Sequence, residues 1–293
     1  MTPANPLPPR NQPSAQGLQT LFTDGRYLES PRWHGERLWF VDSLARTVCS
    51  LGSANDVVVH CRLDDIPSGL GFLPDGELLI VLMFGKQIVK YSQGQVEHYA
   101  DLTNVAAGTL DDMIVDSRGY AYVGDLGFDL RSGQFKRNGG GLIRVAADGS
   151  ATRVAESLDF PNGIAFAQDE KTLVVAESSG DCLSRFIISP GGLHFDQQFG
   201  KFGEPDGICL DREGAVWVSL FKEDSFVRVD ATGTILERIA VPGRRAVASV
   251  LGGADRQTLF CITAETTHQQ LMRGESRAQI GAVQVAVPGA GIP

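Results

Sequence analysis

Five oxygen-bearing side chains stand at the head of similar apolar runs. Asn162 sits in Phe160-Pro161-Asn162-Gly163-Ile164-Ala165-Phe166, and Asp206 in Glu204-Pro205-Asp206-Gly207-Ile208-Cys209-Leu210. Glu29 stands just before Ser30-Pro31-Arg32-Trp33, and Asp111 and Asp112 follow Leu110 in Leu110-Asp111-Asp112-Met113-Ile114-Val115. Pro-Asn-Gly and Pro-Asp-Gly are ordinary turn tripeptides, and either could be turn chemistry alone. Recurrence at the openings of buried runs, with Glu29 placed within a residue or two of the same point, argues for side chains gathered on one ion. A donor set of carboxylate and amide oxygens suits a hard divalent cation, Ca²⁺ first, with Mg²⁺, Mn²⁺ or Zn²⁺ as alternatives.

Those side chains must be carried by a repeat. The unit is an opening apolar run, a turn containing Gly or Asp, and a second apolar run. Units open at Pro31, Pro67, Leu110, Pro161, Pro205 and Val247, at spacings of 36, 43, 51, 44 and 42 residues. That period matches a four-stranded propeller blade and no helical repeat. Third strands are expected at 87–91, 141–145, 182–187, 225–229 and 282–287, and fourth strands are legible only at 96–99 and 152–155. No stretch keeps a helical period, while Gly and Pro punctuate at strand-sized intervals. The expected fold is all-β, a six-bladed β-propeller with a central metal site. It occupies residues 17–293 as one domain, after a flexible tail at 1–16. The run 18–22 has no unit of its own and is expected beside 282–287, closing the ring. The long segment 124–140 is expected as a flap over the channel mouth.

Composition narrows the function classes. A net charge of −9 disfavours nucleic-acid and anionic-membrane partners, which need clustered Lys and Arg. No run approaches the ~18 apolar residues of a membrane span, and the N-terminus lacks the apolar centre of a secretory signal. Five scattered cysteines without C-x-x-C point to a reduced, cytoplasmic setting. The expected partner is a small molecule, and the oligomeric state is left open.

Glu29-Ser30-Pro31-x-Trp33, Phe160-Pro161-Asn162-Gly163 and Pro205-Asp206-Gly207-Ile208-Cys209-Leu210-Asp211-x-x-Gly214 resemble the senescence marker protein (regucalcin)/gluconolactonase/LRE-like family. The resemblance runs from about Thr20 to Val287. It implies a six-bladed propeller holding one divalent ion in its channel, with Glu29, Asn162 and Asp206 as ligands. It further implies that the ion polarises a lactone carbonyl while Asp206 helps move protons. A carboxylate on a metal is a weak base, so Asp112 or Asp111 is expected as a second acid–base group. Aldonolactonases of the family carry Arg-x-Asn-Asp where this chain has Thr109-Leu110-Asp111-Asp112. Thr109 and Asp111 therefore become the expected substrate contacts, and the substrate departs from a simple aldonolactone. Asp111 could equally be a fourth ligand, a base or a cap on its strand.

Other constellations are missing: there is no G-x-S-x-G, H-E-x-x-H, P-loop or G-x-G-x-x-G. Phe84, Phe128 and Phe221, with Glu177 and Glu265, are candidate pocket neighbours. The expected activity is metal-dependent hydrolysis of a small cyclic ester. Alternatives are a lyase or isomerase step on the same metal propeller, or a non-catalytic binding propeller.

Overall fold

Every opening and second run of the repeat forms a strand, and each unit closes into a four-stranded antiparallel sheet; the last third strand is Arg277–Gln284, earlier than the expected 282–287. The computed structural model describes residues 17–189 and 192–291, so the expected tail at 1–16 lies outside the described residues. The innermost strands are Leu28–His34, Pro67–Phe72, Leu110–Val115, Pro161–Phe166, Pro205–Leu210 and Arg245–Gly252. The second strands are Arg37–Asp42, Leu78–Leu82, Ala121–Asp125, Thr172–Glu177, Val216–Leu220 and Thr258–Glu265. Second strands such as Leu78–Leu82 and Val216–Leu220 are buried almost throughout, which is why they read as unbroken apolar runs. Fourth strands exist in every blade, at Val57–Arg62, Gln95–Asp101, Ala151–Leu158, Gly192–Phe199, Ile235–Ala240 and Gln19–Gly25. Most of their side chains meet solvent, so their polar composition hid them.

The last blade is closed by the start of the described chain. Gln19–Gly25 pairs antiparallel with Arg277–Gln284, placing Gln19 opposite Ala282 and Gly25 opposite Ala278. A ring closed this way ties the two ends of the propeller through a backbone ladder. Between blades the core is filled by large apolar groups, Trp217, Tyr122, Phe40, Phe166 and Phe226 among the most deeply buried. Each such side chain contributes about 1.5–3 kcal/mol by leaving water.

Two carboxylate devices hold the blades. Asp42, Asp125 and Glu177 end second strands and accept backbone N–H groups from the chain entering their own blade. Asp42 takes those of Arg26 and Tyr27, Asp125 those of Ala107 and Gly108, and Glu177 that of Asp159. Asp116 and Asp211 close inner-strand turns by accepting N–H groups two and four residues on.

The feature that builds the site is a bulge in each innermost strand. Its pairing with the second strand slips between Glu29 and Arg32, Pro67 and Leu70, Leu110 and Met113, Pro161 and Ile164, Pro205 and Ile208, and Ala246 and Ala248. Residues inside a bulge are released from the ladder and can be aimed elsewhere. Ser30, Phe160 and Glu204, each preceding a proline, hold left-handed φ values of 49°, 61° and 56° at these bends. Gly163 is required there. A Cβ on it would lie 2.6 Å from both the Asp206 carbonyl oxygen and the Ile208 nitrogen of the next blade.

Candidate functional site

All inner strands start on one face of the disc, so antiparallel pairing brings the ends of the second strands to that face too. The bulges therefore ring a single mouth. A cavity there is lined by Glu29, Ser30, Arg32, Ser68, Asp111, Asp112, Asn162, Asp206 and Val247, among others. It leaves about 20 Å³ for the centre of a water-sized sphere, room for one ion or one water.

Each donor is held by named partners. Glu29 Oε2 accepts the Ser43 hydroxyl at 2.7 Å, and that hydroxyl also lies 2.8 Å from the Pro67 carbonyl. Burial, with Asp112 and Asp42 adding to it and the Ser43 bond opposing it, pushes Glu29 up to about 7. Burial and then Glu29, Asp111 and Glu204 push the Asp206 carboxyl well above the ordinary range, while the Asn162 side chain beside it acts to lower it. Asp111 is 7% exposed, and its carboxylate takes no hydrogen bond from any described residue. Burial, Glu29 and Asp112 push it well above the ordinary range as well.

Glu29, Asp111 and Asp206 thus crowd one small cavity without a cationic side chain of their own. Like charges this close, out of water, favour a bound counter-ion. Among the described residues no three His, Cys, Asp or Glu side chains converge tightly enough to hold a metal by themselves. The donor set fits a hard cation once the Asn162 amide oxygen is counted with Glu29 and Asp206.

Several sequence expectations change here. Asp112 is not a free base, because Oδ1 lies 2.8 Å from both Arg32 Nη2 and Ser30 Oγ, and Oδ2 accepts the Ile164 N–H at 3.3 Å. Thr109 does not line the cavity. It is 3% exposed, and its hydroxyl oxygen accepts the Leu130 N–H at 3.0 Å, anchoring the loop after Ala121–Asp125. Glu177 is sealed under Ser184 and Gln198, and Glu265 pairs with Arg244 at 2.5 Å; neither lines the cavity. Glu29 comes one residue before its left-handed neighbour, whereas Asn162 and Asp206 come two after theirs. The repeat therefore brings the three donors to the cavity from unlike offsets.

Arg32 was missed because it occupies the variable position of Glu29-Ser30-Pro31-x-Trp33. Besides Asp112, its guanidinium donates to the carbonyls of Pro31, Leu70 and Met113. Tyr27 was missed as well. It is 6% exposed, and its hydroxyl makes no hydrogen bond to a described residue. Burial, followed by the charges of Asp206, Glu29, Asp111 and Glu204, keeps its phenol protonated. Only its place before a motif Leu-Glu could have drawn attention.

The six bulged inner strands form a six-bladed propeller with an acidic mouth at its central channel. The profile of the SMP-30/Gluconolactonase/LRE-like region matches residues 28–265, and the chain belongs to that family. Regucalcin of Gallus gallus is 25% identical over 253 residues, covering 80% of this chain and 82% of its own. The 6-deoxy-6-sulfogluconolactonase of Pseudomonas putida is 26% identical over 277 residues, covering 90% and 93%. A solved calcium-binding protein, regucalcin from Agrobacterium tumefaciens, superimposes with a TM-score of 0.78 at 21% identity, covering 94% of this chain and 96% of that one. A gluconolactonase from Xanthomonas campestris gives 0.72 at 24% identity, covering 96% and 99%. These two structural likenesses establish the fold.

Proposed function

We propose that the chain is a divalent-cation-dependent hydrolase that opens a small cyclic ester. The observation that carries this reading is the bulge-built mouth, where Glu29, Asp111, Asn162 and Asp206 line one ion-sized cavity. Family membership and the lactonase named among the relatives support it. Regucalcin, named as calcium-binding in the solved Agrobacterium protein, makes Ca²⁺ the first cation to try.

Glu29, Asn162 and Asp206 would hold the cation, and Ser43 fixes how Glu29 faces it. A divalent cation at such a position supplies Lewis-acid polarisation of a carbonyl and lowers the pKa of a water. Asp111, which has no protein partner for its carboxylate, takes the proton of the attacking water on an Oδ. It returns that proton to the ring oxygen as the acyl C–O bond breaks, leaving a hydroxy acid. Asp112, locked by Arg32 and Ser30, positions the strand that carries Asp111. Tyr27, protonated and unpaired, is a hydrogen-bond donor at the edge of this acidic group. Thr109 is spent on the loop and a carboxyl stands at Asp111, so the expected substrate is a lactone other than a plain aldonolactone.

A pH-indicator screen of lactones, with and without chelator, tests the reading. Hydrolysis in ¹⁸O-labelled water should place one labelled oxygen in the carboxylate of the product. Turnover without label in the product would mean a lyase or isomerase step instead.

A further inference from the structure

The loop between Ala121–Asp125 and Gly140–Val145 opens on the mouth face and spans three blades. Phe128 packs against Phe160 of the fourth blade at 5.9 Å, beside Asn162, while Arg131 reaches the second blade. There the Arg131 guanidinium lies 3.6 Å from the centre of the Phe84 ring. Phe84 follows a second strand, so the contact lies on the mouth face.

Several neighbouring cations on this face are committed, while Lys136 on the same loop makes no ion pair to any described residue. Lys222 and His268 face Glu204, and Arg245 faces Asp224. The guanidinium of Arg131 makes no hydrogen bond or ion pair to any described residue, although Arg131 is exposed. At 3.6 Å the guanidinium carbon lies in contact with the ring, and its N–H groups keep no protein acceptor among the described residues. A guanidinium fork held against a ring is suited to bidentate recognition of an oxyanion. In a chain of net charge −9, such an uncommitted cation beside an acidic mouth runs against the general field.

We propose that Arg131, resting on Phe84, forms a subsite for an anionic substituent, a carboxylate or phosphoryl group, carried by the substrate. This rests on the lactone reading above only for the kind of ring that bears the anion. The ring would sit at the channel cavity, and the anion would reach outward to the loop.

Calorimetry on the calcium-loaded protein tests the subsite without turnover. The probes are 5-oxopyrrolidine-2-carboxylate, a lactam analogue with a free carboxylate, and its neutral carboxamide. The carboxylate is expected to bind about tenfold more tightly, as charge-assisted paired hydrogen bonds require. Arg131→Met, which keeps the stem over Phe84, should bring that ratio close to one. Arg131→Lys should keep part of it, because the charge remains without the planar fork. Arg212→Met, an equal charge change at an exposed turn on the opposite face, should leave the ratio intact. Displacement of the carboxylate probe by acetate or by inorganic phosphate then identifies the preferred oxyanion. Equal binding of the two probes to the unmodified protein, an unchanged ratio in Arg131→Met, or displacement by neither anion would overturn the proposal. Absence of lactone hydrolysis would count against the proposed reaction and leave this binding ratio to be judged separately.

Discussion

Arg32 Nη2 lies 2.8 Å from Asp112 Oδ1, so an ion pair buried at the cavity wall joins the first blade to the third. The side chains are 7% and 13% exposed, and Arg32 donates to three carbonyls besides. Removing one member leaves an unpaired buried charge, which costs about 3–5 kcal/mol. Arg32→Met should therefore lower unfolding free energy by about that amount in urea titrations, and adding Asp112→Leu should recover a good part of it. Additive losses in the double variant would mean the two residues act independently.

Thr109 is predicted to act on the loop. Thr109→Val removes the acceptor of the Leu130 N–H and should cost about 1 kcal/mol. Limited proteolysis should then cut faster within 126–139, and Thr109→Ser should restore protection. Unchanged cleavage in Thr109→Val would show that the loop is anchored elsewhere.

Asp111 and Asp206 are predicted to separate chemistry from ion binding. Asp111→Asn should retain most of the cation affinity and lose about 10²–10⁴-fold in kcat, the range of a general base. Asp206→Ala should lose both affinity and turnover. Calorimetric titration with Ca²⁺ beside lactone kinetics distinguishes them, and equal behaviour of the two variants would refute the division.

Stability of the metal-free protein should depend on pH with a sign fixed by the mouth. Glu29 is raised from 4.5 to about 7, and Asp111 and Asp206 are raised as well. The folded state then binds more protons than the unfolded chain between these values. The stabilisation is complete below about pH 4.5 and is lost as pH rises through 7 and beyond. Differential scanning fluorimetry in chelator should show Tm falling from pH 5.5 to 8, with added Ca²⁺ reversing the fall. A Tm that rises over that interval without metal would contradict the crowding of carboxylates.

Much of this architecture was legible because inner and second strands are buried and carry a regular apolar signal. Pro161-Asn162-Gly163 and Pro205-Asp206-Gly207 were visible as a pair because proline, donor and glycine each serve the same bulge. The fourth strands were mostly hidden, since one face meets water and alternation of polar residues carries little information there. Arg32, Ser43 and the lock on Asp112 were illegible for another reason. Arg32 and Asp112 depend on which blades meet across the channel, and Ser43 on how the turn after its second strand folds back on Glu29; no local pattern encodes either. Thr109 looked like a substrate contact from its place next to Leu110-Asp111-Asp112. Only the path of the loop shows its hydroxyl turned to Leu130.

The account stands on cation-dependent lactone opening at this mouth. The most direct test is the initial rate of lactone hydrolysis by chelator-stripped protein before and after one equivalent of Ca²⁺, with Mg²⁺, Mn²⁺ and Zn²⁺ in parallel. The account predicts a negligible rate in the stripped protein and recovery of at least about 100-fold with the cognate ion. Full activity in the stripped protein, unchanged by any of the four ions, would contradict it.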